Sequence, residues 1–168
     1  MLVIGGVPGT GKTSVANALG KMLKLKVVHL SELVKNIAVE FSKEWDSYIV
    51  DINKVNVKGD IILEGHLTCE KRFDDKIFIL RTNPHVLEKR LEDRGYSKKK
   101  IDENVMAEML DYCTQRARLF YKNVYEVDTS HRNAKESAKK IVNILKGTET
   151  SDEVDWRDEL IKRVIYDM

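Results

Sequence analysis

The chain has 168 residues, of which 42% are apolar and 33% charged, with a formal net charge of +2, which suits one soluble domain with a sizeable core and argues against a dedicated nucleic-acid arm. Its two cysteines, Cys69 and Cys113, lie far apart and outside any C-x-x-C pair, so no disulfide or metal framework is expected and a reducing, cytoplasmic setting is. The only apolar run at the start is Leu2 to Ile4, too short for a signal peptide, and nothing approaches a membrane span.

In chain order, Leu2-Val3-Ile4 reads as a short buried strand. Thr13 to Leu25 has helical periodicity, with Val15, Leu19, Met22 and Leu23 on one face. KVVHL at 26–30 is a second strand, and Ser31 an N-cap for a helix from Glu32 to about Phe41. KEWDSYIVDINKV has no clean period and reads as irregular, with a short helix near its end. Strands follow at Ile61 to Glu64 and Ile77 to Arg81. Asn83-Pro84 opens a helix to about Asp93, because proline suits the first helical position. RGYSKKK is a polar loop, leading into one long helix to about Tyr121. VYEVDTS gives a fifth strand, and Asn133 to Leu145 the last core helix. GTETSDEVD is a polar linker. A final helix from about Asp152 to Ile165 carries Trp156, Leu160, Ile161, Val164 and Ile165 as an apolar stripe. Strands alternating with helices five times predict an α/β fold with an open, mostly parallel sheet.

GVPGTGKT at 6–13 matches G-x-x-x-x-G-K-[ST] and lies between a predicted strand and a predicted helix, as a phosphate-binding loop requires. Its glycines let backbone N–H groups turn toward phosphate oxygens, and the next helix adds its positive N-terminus. Lys12 is placed to reach the β- and γ-phosphates, the Thr13 hydroxyl to ligate Mg²⁺, and Ser14 to contact the α-phosphate. The third strand ends in EGH. Glu64 is a candidate to hold a metal-bound water or orient the attacking group, and His66 to position a phosphate or a water. Ligands of parallel sheets bind at this end of the strands.

Phosphoryl transfer also needs cationic groups on the moving phosphate. Arg81, Arg90, Arg116 and Arg118 each read best as solvated surface charge. Arg94 differs, because it sits where a helix breaks into a loop with Lys98, Lys99 and Lys100, as in a closing lid. The three lysines are alternatively a small nucleic-acid contact.

GVPGTGKTS, EGH, IFILRT and VLEKRLEDRGYSKKKIDENV together resemble the adenylate kinase isoenzyme six family, small nucleoside monophosphate kinases of archaea and the eukaryotic nucleus. The resemblance covers about residues 1 to 146. It implies a P-loop nucleoside monophosphate kinase fold over residues 1–147. Residues 29–52 would be the monophosphate-binding part and 93–103 a short lid, with 148–168 an appended linker and amphipathic helix. By the same resemblance Gly9, Gly11, Lys12, Thr13, Ser14 and Arg94 bind ATP. Lys12, Glu64, His66 and Arg94 form the catalytic set, and Thr13 with Glu64 (through water) holds Mg²⁺. The family has aspartate where Glu64 stands, and an arginine for the monophosphate's phosphate where Lys35 stands. Family members also show ATPase activity, act in late small-subunit ribosome maturation and bind small-subunit ribosomal protein eleven. These properties are expectations here, with a pre-ribosomal RNA contact and without DNA or membrane binding.

Three readings stay open: a kinase passing the γ-phosphoryl of MgATP to AMP or another monophosphate, a ribosome-assembly ATPase, and another small-molecule kinase. The acidic residues Glu149, Asp152, Glu153, Asp155, Asp158 and Glu159 are compatible with a basic partner but read first as a solvated helix face.

Overall fold

The computed structural model describes residues 1–35, 38–42 and 47–166, with the backbone alone at 38–42, 47–49 and 166. Its strands are β1 (Leu2–Gly5), β2 (Lys26–His29), β3 (Ala38–Ser42), β4 (Ser47–Val50), β5 (Ile61–Glu64), β6 (Lys76–Arg81) and β7 (Asn123–Asp128). Its helices are α1 (Lys12–Leu23), α2 (Leu30–Val34), α3 (Pro84–Glu92), α4 (Lys98–Met109), α5 (Tyr112–Phe120), α6 (Ala134–Leu145) and α7 (Arg157–Tyr166).

The main sheet has the order β2-β5-β1-β6-β7, every pair parallel. Both faces are covered, so its strands are apolar on both sides. Along β6, Ile77 and Ile79 face one layer while Phe78 and Leu80 face the other. The first layer contains α3, α4 and α5, with Leu87, Leu91, Ile101, Val105 and Ala117 buried against the sheet. The second contains α1 and α6, through Val15, Leu19, Ala138 and Ile141. The central strand β1 therefore delivers the loop that follows it to the carboxyl end of a rigid, fully buried scaffold. Beside it, β5 delivers Glu64 to the same end.

Several expectations are corrected. The helix expected from Glu32 to Phe41 stops at Val34, and Ser31 lies inside it, with His29 at the N-cap position. The chain then forms a β3–β4 hairpin pairing Phe41 with Tyr48. Leu30, Val34 and Phe41 fit a helical stripe, but Val39 and Phe41 alternating with Glu40 and Ser42 is a strand pattern, and the second strand supplies its partner. Residues 36, 37 and 43–46 of this segment lie outside the described residues. The short helix expected near its end is present, as a single 3-10 turn at Ile52–Lys54.

The long helix expected through Tyr121 is two helices, broken at Leu110 and Asp111, where Asp111 has φ 53°. Aspartate tolerates that left-handed conformation, and its carboxylate bonds Arg81 there. RGYSKKK is a loop only as far as Ser97, whose hydroxyl caps α4.

The linker 148–156 is not loose. The Asp152 N–H bonds the Glu126 carbonyl at 3.0 Å. The N–H groups of Glu126 and Asp128 donate to Ser151 Oγ (2.7 Å) and Asp152 Oδ2 (2.9 Å). Asp152 also pairs with Arg132 and Lys140. The segment covers the exposed edge of β7, which would otherwise offer free backbone groups. Helix α7 starts only at Arg157, and its stripe divides. Trp156 and Leu160 pack on the core, whereas Ile161 and Ile165 are 55% and 63% exposed. Among the described residues no helix is long and apolar enough to cross a membrane.

Candidate active site

The loop between β1 and α1 is held by its own side chains. Thr10 Oγ1 donates to the Val7 carbonyl at 3.0 Å, and Thr129 Oγ1 donates to the Thr10 carbonyl at 3.0 Å, tying the loop to the end of β7. Gly11 takes φ 91° at the N-cap of α1, a backbone state in which a side chain would be strained. Lys12 is 9% exposed and its Nζ donates to the Val7 carbonyl at 2.9 Å, arching across the loop. Burial pulls its ammonium below the ordinary lysine pKa. Gly9, Gly11, Lys12, Thr13 and Ser14 line one cleft of about 330 Å³ with Glu64, His66 and Arg94. The structure thus brings the loop residues and the three remaining candidates of the catalytic set to one place.

Glu64, 5% exposed, accepts from the Thr13 hydroxyl at 3.2 Å. A hydroxyl and a carboxylate side by side next to a phosphate loop are hard oxygen donors of the kind Mg²⁺ takes together with nucleotide phosphates. His29 Nδ1 lies 2.6 Å from Glu64 Oε1. Sequence reading passed over His29, although it lies within a predicted strand; only the adjacency of β2 and β5 makes it a neighbour of Glu64.

His66 opens a 3-10 turn, His66–Glu70, that is pinned on every side. Thr68 Oγ1 donates to the carbonyls of Ile4 and Gly65 at 3.0 and 2.8 Å. The Cys69 thiol donates to the His66 carbonyl at 3.2 Å, and the Tyr121 hydroxyl meets the Thr68 carbonyl at 2.7 Å. Gly65 admits this turn against α2: a Cβ there would stand 2.7 Å from Leu30 Cβ. His66 is solvent-exposed at the cleft mouth, but the cleft walls on its other sides, and then the Lys12 charge, lower its pKa below the ordinary value, so the neutral form prevails at pH 7.

A second pocket, of about 300 Å³, lies on the other side of His66. Its walls are Leu30, Val34, Val50 and Leu67, with Lys35 contributing to its lining. Ser31, Gly65 and His66 belong to both cavities, so His66 marks their junction. Beyond the loop, Gly9, Gly11, Ser14, Arg90, Arg94 and Thr129 line a third cavity of about 350 Å³, giving the loop's cleft a continuation away from His66. A larger cavity, of about 780 Å³, lies between α3, α4 and α7. Among its charged groups, Lys98 and Arg163 pair with Glu88 and Asp102, and its lining shares no residue with the phosphate loop.

The arginines separate. Arg94 is exposed at the mouth of the clefts and makes no ion pair among the described residues. Arg90 donates to Thr82, Thr129 and the Thr129 carbonyl. Arg116 pairs with Glu70 at the surface. Arg81, expected as surface charge, is 1% exposed. Its Nε donates to Glu108 Oε1 at 2.7 Å, and its other nitrogens meet the Glu108 carbonyl, Asp111 and Glu126. Glu108 also takes the Thr82 N–H and the Trp156 indole N–H, both at 3.1 Å. Arg81 is the hub of the α4–α5 break, not part of the cleft. The acidic tail is likewise partly internal: Glu149 and Asp152 pair with Lys140, and Asp155 with Arg157.

Residues 2–111 match the family model described as an AAA domain. Relatives named "Putative adenylate kinase" include one from Methanocaldococcus jannaschii, 35% identical over 169 residues and covering 94% of this chain and 93% of that protein. Another, from Methanosarcina mazei, is 36% identical, with 92% and 96% covered. Among solved structures, shikimate kinase from Acinetobacter baumannii superposes with a TM-score of 0.62 at 15% identity, covering 88% of this chain and 93% of that one. Deoxyadenosine kinase from M. mycoides gives a TM-score of 0.54 at 14% identity, with 86% and 98% covered. At those identities the likeness concerns the fold, which is that of the P-loop kinases. At the sequence level the relationship is closer, and the chain belongs to the archaeal family of adenylate-kinase-like proteins.

Proposed function

We propose that the chain is a nucleoside monophosphate kinase that moves the γ-phosphoryl of ATP to AMP or a related monophosphate. The observation that carries this reading is the meeting of two cavities at His66: a phosphate loop on one side and an apolar-walled pocket with a lysine on the other. The apolar walls suit a nucleobase, and Lys35 suits its phosphate. The names of the archaeal relatives support the same class of reaction.

Positioning and electrostatics carry such a transfer, with no covalent intermediate needed. Gly9, Gly11 and Ser14 cradle the donor phosphates. Lys12 releases the Val7 carbonyl and places its charge on the β- and γ-phosphates. Arg94 swings in from the loop that ends α3 and covers the transferring group, with residues 93–103 acting as the lid. Thr13 and, through water, Glu64 would hold Mg²⁺, which neutralises phosphate charge when bound. Neutral His66 donates a hydrogen bond at the junction and orients the acceptor oxygen. Lys35 holds the acceptor's phosphate as a point charge.

An ADP-forming assay tests this across AMP, CMP, GMP and UMP. ATP consumption should rise at least about tenfold with the preferred monophosphate. Equal consumption with and without every monophosphate contradicts the kinase reading. The exposure of His66 favours one second reading, in which water takes the acceptor's place and ATP is hydrolysed. By family resemblance that activity would serve late small-subunit ribosome maturation in the cytoplasm, with small-subunit ribosomal protein eleven and pre-ribosomal RNA as partners. Failure of both wild type and His66→Ala to retain that ribosomal protein in a pull-down would remove the partner from the account.

A further inference from the structure

Strands β2 and β5 are parallel and in register, so Val28 pairs with Leu63 and His29 with Glu64. Residues paired this way project on the same face of the sheet, which makes the last side chains of the two strands neighbours by construction. His29 Nδ1 approaches Glu64 Oε1 to 2.6 Å. A carboxylate offers only acceptors, so this bond requires the proton on Nδ1. His29 also stands at the N-cap position of α2, yet its side chain gives that helix no hydrogen bond. The ring is committed to Glu64 instead.

Glu64 has two side-chain donors among the described residues, the Thr13 hydroxyl and His29. The Thr13 hydroxyl is also the group the loop chemistry requires at the metal. A hydroxyl that ligates a metal uses an oxygen lone pair and keeps its proton, so Thr13 can hold Glu64 from the loop side while His29 holds this almost wholly buried carboxylate from the sheet. The rigid β2–β5 ladder holds the imidazole in place, whatever the loop does.

We propose that His29 is a positioning residue, whose Nδ1–H orients Glu64 toward the metal ion that accompanies the nucleotide. The proposal rests on the nucleotide-binding part of the function above, and it is independent of which molecule accepts the phosphoryl group.

The test is calorimetric binding of ADP to the full chain, with Mg²⁺ and with a chelator instead. Wild type should bind ADP more tightly with Mg²⁺. His29→Ala should lose about tenfold in affinity for ADP with Mg²⁺, the usual scale for removing a partner that orients a metal ligand. Its affinity for metal-free ADP should stay within about twofold of wild type, since the His29 side chain makes its polar contact with Glu64 and none with the phosphate loop. His29→Asn, whose side-chain N–H stands close to the place of Nδ1, should restore most of the loss. If His29→Ala is poorly folded, His29→Leu fills the space without a donor and serves in its place. The proposal is overturned by an unchanged Mg²⁺ effect, by an equal fall with and without metal, or by an asparagine variant no better than alanine. Wild type that binds no ADP, or binds it equally with and without Mg²⁺, overturns it too. Wild type that behaves as expected here but phosphorylates no monophosphate would sink the kinase reading alone.

Discussion

Replacing Arg81 with methionine distinguishes a structural arginine from a catalytic one. The substitution keeps the buried chain length and removes the charge. Glu108, 2% exposed, would keep only two neutral donors, the Thr82 N–H and the Trp156 indole. Asp111 and Glu126 would lose the same cation. Breaking a buried pair from one side costs about 3–5 kcal/mol, a fifth or more of a stability of roughly 5–15 kcal/mol. Burial already raises the Glu108 pKa, with Arg81 opposing it, and without Arg81 that pKa rises further. A raised carboxyl pKa means the folded state binds more protons than the unfolded, so stability falls as pH rises through that range. The deficit of Arg81→Met should therefore be larger at about pH 8 than at about pH 5, just above the ordinary carboxylate range. Urea unfolding followed by tryptophan fluorescence at both values measures it. Adding Glu108→Gln should recover about 1 kcal/mol or more at pH 8. Stability within about 1 kcal/mol of wild type, together with lost phosphoryl transfer, would refute the reasoning and return Arg81 to the site.

Lys12→Ala should reduce turnover at least about a hundredfold, because it removes the buried cation of the loop; steady-state activity within tenfold of wild type would contradict its role. Ending the chain at Gly147 should lower the melting temperature by about 10 °C or more. It uncovers β7 and removes the Trp156 and Leu160 packing, for a loss of about 4–6 kcal/mol; a truncated chain melting with the full one would show the tail to be dispensable. Lys35→Arg should lower the KM for the monophosphate about threefold or more with little change in kcat, since a guanidinium grips phosphate through two parallel bonds. An unchanged KM would remove residue 35 from the acceptor pocket.

The phosphate loop and the parallel sheet were legible because their signals are local: a spacing of glycines, and strand and helix periods in alternation. Glu64 and His66 were legible for a topological reason, since a third strand in such a fold must end beside the loop. The β3–β4 hairpin was not, because Leu30, Val34 and Phe41 satisfy a helical stripe as well as Val39 and Phe41 satisfy a strand. Arg81 misled because burial of an arginine depends on three carboxylates from α4, the α4–α5 break and β7 converging on it, 27, 30 and 45 residues away. Ser151 and Asp152 read as linker for the same reason: their partners on β7 are distant in sequence. His29 carried no motif, and its contact with Glu64 follows from strand order alone.

The most direct test follows the phosphoryl group itself. ATP labelled at the γ-phosphate is incubated with the protein, Mg²⁺ and AMP, and the products are separated. The account predicts label in newly formed ADP, with little free phosphate, and loss of that transfer in Lys12→Ala. Label recovered only as inorganic phosphate, whichever monophosphate is supplied, would contradict it.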